Sequence, residues 1–105
     1  MNKTEKAVFD HALSHYGKDE QMRIAQGECT EFVSALSKYH RVEKFQAYDK
    51  RKLQRAVNHV AEEIADVQIM LDQLQLMFGF TKKQLDEIRV CKIERLNGNL
   101  PEEEE

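Results

Sequence analysis

The sequence predicts an all-α fold, a four-helix bundle with two long antiparallel central helices, and three observations predict it. Leu53, Val57, Val60, Ile64, Val67, Leu71, Leu74 and Phe78 recur at alternating spacings of four and three, the apolar seam of a long amphipathic helix. Met22, Ala25, Cys29, Phe32, Leu36 and Tyr39 repeat the pattern upstream. One proline and four glycines in 105 residues leave too few turn formers for an all-β chain.

Each element has its own signals. The first helix is expected from about Thr4 to Tyr16 and stops at Gly17. The second opens near Asp19, a side chain suited to capping, and runs to about Arg41. Residues from about Val42 to Asp49 connect it to the third, which runs from about Lys50 to Phe78 and ends at Gly79. At 1.5 Å per residue the third helix is roughly 40 Å long, whereas a compact domain of this size has a radius of gyration of about 13 Å. It therefore overhangs its own subunit. Ile69, Met70, Leu76 and Met77 add apolar surface off the seam, so the chain is expected to be a homo-oligomer. The fourth helix starts at Thr81, which forms a capping-box pattern with Gln84, and ends near Asn97-Gly98. Residues 1–100 read as one domain and 101–105 as a disordered acidic tail.

Composition excludes several classes. No apolar run reaches the roughly 18 residues a membrane span needs, and Met1–Lys6 lacks the apolar stretch of a signal peptide. Cys29 and Cys91 are too few for a disulfide scaffold and fit a reducing, cytoplasmic compartment. The formal net charge of −3 argues against general nucleic-acid binding. That figure conceals opposites: the four glutamates of the tail carry −4, whereas residues 38–55 hold seven bases against two acids, +5.

Beside each seam runs a second stripe. One reads Ile24, Glu28, Glu31, Ala35 and the other Ala56, His59, Glu63, Asp66, Met70. Residues three apart project to one side of a helix, so antiparallel packing brings the two acidic pairs together. Four clustered carboxylates repel and lose hydration, which raises their pKa values or demands a cation. Hard oxygen ligands suit Mg²⁺, with Mn²⁺ as the alternative, and such a centre points to phosphate chemistry. The competing reading of each pair alone is a solvated helix face.

The basic residues fit the same chemistry. Lys38 and the other cations of residues 38–55 can bind phosphate oxygens that a metal does not reach, or can simply be solvated. Lys92 and Arg95 extend the stripe of Leu85 and Ile88, which turns them inward. His59 reads as a partly buried structural histidine, with ligand orientation as the alternative, and Cys29 as a small core residue. No glycine-rich phosphate loop is present.

Glu28-x-x-Glu31 followed by Glu63-x-x-Asp66 resembles the E-x-x-E…E-x-x-D signature of the MazG-like all-α nucleoside triphosphate pyrophosphohydrolases. Tyr16-Gly17, Gln21, Ala35-Leu36-Ser37-Lys38-Tyr39 and Arg41 look like the short members of phages and Gram-positive bacteria. So do Glu62–Val67, Met70-Leu71 and Lys92–Leu96. The resemblance covers about residues 12–97. It implies hydrolysis of a (deoxy)nucleoside triphosphate to the monophosphate and pyrophosphate. It assigns Glu28, Glu31, Glu63 and Asp66 as catalytic Mg²⁺ ligands and Lys92 and Arg95 as phosphate-binding. His15, Tyr16 and Gln21 would form the base pocket, in a homodimer or homotetramer. The family often has two adjacent glutamates at the first motif, where Gly27 stands here in the first place. That departure keeps a second reading open, a helical nucleotide- or protein-binding module without turnover.

Overall fold

The computed structural model describes residues 1–103. It contains four helices, α1 (Lys3–Tyr16), α2 (Lys18–Gln46), α3 (Lys50–Phe78) and α4 (Lys82–Asn99), and no strand among the described residues. Local chemistry sets most of the boundaries. The Asn2 side chain accepts from the Glu5 amide at 2.8 Å and the Glu5 carboxylate accepts from the Asn2 amide, closing a capping box on α1. Thr81 and Gln84 do the same for α4, and the Asp49 side chain caps α3 by accepting from Lys52 N at 3.0 Å. Gly17 and Gly79 adopt φ of 84° and 74°, a region that a β-carbon disfavours, and so turn the chain between helices.

Two boundaries of α2 differ from expectation. Gly17, not Asp19, is its N-cap, and the helix runs to Gln46 rather than Arg41. Nothing between Arg41 and Gln46 breaks a helix, and Val42, 3% exposed, extends the buried line by one more step. The connector shrinks to Ala47–Asp49. So short a link forces α2 and α3 antiparallel. Ala35 and Lys38 of α2 accordingly share a crevice with Lys52 and Arg55 of α3, while Met22 and Ala25 lie with Leu74 and Phe78.

The α2–α3 seam is offset from the strongest hydrophobic repeat. On α2 it runs through Gln21, Ala25, Glu28, Phe32, Ala35, Tyr39 and Val42, and on α3 through Leu53, Ala56, Val60, Glu63, Val67, Met70 and Leu74. The expected members Ala25, Phe32 and Tyr39, and Leu53, Val60, Val67 and Leu74, keep their places. Cys29 and Leu36 on α2, and Val57, Ile64, Leu71 and Phe78 on α3, are instead exposed. Cys29 is thus a surface residue, not a core one. Ala25, Ala35 and Ala56 are at most 4% exposed, and these short side chains let the two backbones approach.

The helix α1 lies against α2 and α3 and buries Phe9. No Cα of α4 comes within 8 Å of one in α1, α2 or α3, and α4 buries no residue. Leu85, Ile88, Val90, Ile93 and Leu96 are spread around it instead of forming one face. Gly79 and a stacked Phe78–Phe80 pair, with ring centroids 5.5 Å apart, set its departure from α3. The radius of gyration is 17.9 Å, well above the roughly 13 Å of a compact domain of this length. Pro101–Glu103 are exposed and carry no regular structure; Glu104 and Glu105 of the expected tail lie outside the described residues. No described helix is long and apolar enough to cross a membrane.

Replacing Met70, 6% exposed in the α2–α3 seam, with Ala removes buried side-chain volume from that contact. Chemical denaturation should show a loss of about 2–5 kcal/mol, the usual range for such a truncation.

Candidate metal centre

The seam carries the acids with it. Glu28 of α2 and Glu63 of α3 take positions in the packing line that apolar residues ordinarily fill, and each has another acid one turn further along its helix. Glu63 is 6% exposed, Glu28 half-buried, and Glu31 and Asp66 exposed at the rim. Carboxylate oxygens of Glu28, Glu31 and Glu63 lie within 4.8 Å of one another across the helix pair. Asp66 stands outside that triad, yet its charge acts on Glu28. Three of the four expected ligands therefore converge directly and the fourth flanks them.

Two features mark this as more than a solvated face. Glu28 Oε2 and Glu63 Oε2 are both buried and without a hydrogen-bond partner, the condition that folded proteins otherwise avoid. The Glu28 carboxyl is held above its usual range, first by burial and then by the charges of Glu31, Asp66 and Glu63. His59 of α3 approaches the acids, with Nε2 3.8 Å from Glu63 Oε1 and Nδ1 3.7 Å from Glu62 Oε2. His59 is half exposed and sits at the edge of the site. An all-carboxylate oxygen set with buried, unpartnered acceptors fits a hard divalent cation such as Mg²⁺ or Mn²⁺.

The other expected site residues divide. Lys38, about two turns from Glu31, opens onto a crevice of about 140 Å³ between α2 and α3. Lys92 and Arg95 are exposed on α4 and border a shallow concavity made by that helix alone. The expectation that their stripe turns inward fails within one subunit, because α4 packs on none of the other helices. His15 and Tyr16 pair edge to face at 4.7 Å and border an open concavity on α1. Gln21 does not line it; at 4% exposure it belongs to the seam, seven residues before Glu28. Lys52 and Arg55 were not singled out from their neighbours by sequence, although their spacing with His59 and Glu63 places them along one helix face. Gly27 is exposed, and a β-carbon built there meets nothing within 4 Å, so its absence of side chain serves no close approach.

No protein-family model, no curated protein and no solved structure matches this chain.

The raised carboxyl of Glu28 has a defined pH signature in the absence of metal. Below its ordinary value of 4.5 the group is protonated in both folded and unfolded chains and costs nothing. As pH rises through the elevated folded value, ionisation inside the cluster destabilises the fold. Glu28→Gln in EDTA should therefore gain stability over wild type as pH rises above 4.5, by denaturant unfolding. A stability difference that does not vary with pH would contradict the cluster's repulsion.

Proposed function

We propose that this chain is a Mg²⁺-dependent nucleoside triphosphate pyrophosphohydrolase of the MazG-like type, acting as a homodimer or homotetramer. The observation that carries the proposal is the facing acidic set, in which Glu28 and Glu63 present buried oxygens without partners. The order and spacing of Glu28, Glu31, Glu63 and Asp66 resemble that family's signature and support the same reading.

Glu28, Glu31 and Glu63 would hold the cation, with Asp66 at the rim. When bound, Mg²⁺ offsets the charge of a triphosphate and lowers the pKa of a water. Glu28 and Glu63 belong to two packed helices, which holds their separation fixed during turnover. Glu31 and Asp66 face solvent, and one of them accepts the proton of the attacking water. The water oxygen bonds to the α-phosphorus, the P–O bond bridging to the β-phosphate breaks, and pyrophosphate leaves with the bonding pair.

The oligomer rests on the unused apolar surface. Val57, Ile64, Leu71 and Phe78 form a row at seven-residue spacing and are 42–55% exposed. The detached α4 adds Ile88, Val90, Ile93 and Leu96. A second copy covers such rows, and α4 of one subunit can then supply Lys92 and Arg95 to the other. Gly27 favours the second reading, a nucleotide-binding module without turnover, because the motif's first acid is absent. Calorimetry showing nucleotide binding with no product would select that reading.

Incubation with each (d)NTP and Mg²⁺, followed by chromatography, should give monophosphate plus pyrophosphate. Glu63→Gln should reduce this to background with the helical content intact. Diphosphate plus orthophosphate, or no product from any nucleotide, would sink the assignment. In sedimentation, Leu71→Glu should lower the assembly mass, and an unaltered mass would remove the apolar row from the interface.

A further inference from the structure

The crevice that begins one turn along the α2–α3 seam from the acids is lined by Ala35, Lys38, Lys52, Arg55, Ala56 and His59. Its floor consists of two nearly buried alanines, 2% and 4% exposed, whose missing side-chain volume creates the space. Three permanent cations and a histidine surround about 140 Å³. None of Lys38, Lys52 and Arg55 lies within 4.0 Å of a carboxylate among the described residues. This contrasts with α4, where Lys82 pairs with Asp86 and Lys83 reaches Glu87. Like charges gathered around a recess without counterions repel each other, and an anion seated among them relieves that repulsion.

The position of the crevice indicates which anion. Lys38 follows Glu31 by seven residues and Arg55 precedes Glu63 by eight, so acids and cations stand about two turns, roughly 10–12 Å, apart along the same helix pair, with Ala35 and His59 on the turn between them. His59 borders the crevice and also approaches Glu63 Oε1 at 3.8 Å, so it stands between the basic residues and the acids. Carboxylates at one end of this stretch and cations at the other match an elongated polyanion that carries a divalent cation at one end only. A single tetrahedral anion would use only the basic end.

We propose that Lys38, Lys52, Arg55 and His59 form a pyrophosphate-binding subsite that holds the distal phosphates of the substrate and then the pyrophosphate released from it. The assignment of those phosphates to a substrate rests on the hydrolase reading, whereas the affinity for pyrophosphate does not. Lys52 is half-buried and lines the recess, and Arg55 supplies a planar fork suited to two phosphate oxygens.

The test uses inorganic pyrophosphate and calorimetry on the full chain in EDTA. Glu63→Gln serves as the background, which disables the acidic centre and leaves the basic residues untouched. Pyrophosphate should bind this variant more tightly than orthophosphate. Adding Lys52→Ala and Arg55→Ala should weaken it roughly tenfold or more, the loss expected for two charge-assisted contacts. Adding Lys82→Ala and Lys83→Ala, which removes the same charge from α4, should leave the affinity unchanged. No pyrophosphate binding, equal affinity for orthophosphate, or equal losses from the two double substitutions would overturn the subsite. Wild-type protein that binds pyrophosphate through Lys52 and Arg55 but turns over no nucleotide would overturn the hydrolase reading and leave the subsite standing.

Discussion

The packing of α2 against α3 depends on placing two carboxylates, Glu28 and Glu63, in the line where the helices meet. A carboxylate withdrawn from water without a partner is costly, and a second one opposite adds repulsion. The chain tolerates this because the same line is otherwise built for close approach, with alanines at 25, 35 and 56 and apolar residues at 32, 60, 67 and 74. Length also matters. Each helix has 29 residues, so the acids occupy the middle of a long interface whose two ends supply compensating contacts. A shorter pair would give the acids a larger share of the seam and far less to hold it closed.

The same rotation that buries the acids turns Val57, Ile64, Leu71 and Phe78 outward. If α3 were turned to bury that row, Glu63 would move to the edge of the interface and face water. The site and the uncovered surface are thus two consequences of one packing choice. An isolated subunit with its strongest hydrophobic row exposed and its fourth helix standing clear is an incomplete structure, as its radius of gyration of 17.9 Å indicates. In the proposed oligomer a second copy would complete the burial while leaving the carboxylates where they are.

This explains what the sequence made legible. Helix ends were readable because their causes are local: Gly17 and Gly79 need positive φ, and the Thr81 and Gln84 side chains satisfy each other's amides. The acidic pairs were readable for a similar reason, since a spacing of three fixes their common side whatever packs against it. The seam was displaced because periodicity reveals a stripe but not its neighbour. Ala56 and Glu63 are weak hydrophobic signals beside Val57 and Ile64, so periodicity alone points to the more apolar row. The position of α4 was not readable at all. It depends on the turn at Gly79 and Phe80 and on what covers the exposed rows, and neither leaves a mark in the pattern of α4 itself.

The charge pattern follows the same logic. A net charge of −3 averages over a helix pair in which acids and bases occupy separate turns without neutralising one another. Lys38 lies seven residues from Glu31 and Arg55 eight from Glu63, about two helical turns in each case. No ion pair joins them among the described residues, and the basic residues surround the crevice instead. Pairing would have quenched both charge sets and removed the buried unpartnered oxygens of Glu28 and Glu63. Keeping the two charge sets apart costs stability in the empty protein. Two separate charge sets along one helix pair therefore favour ligands that bring both signs with them, a cation for the carboxylates and an anion for the bases.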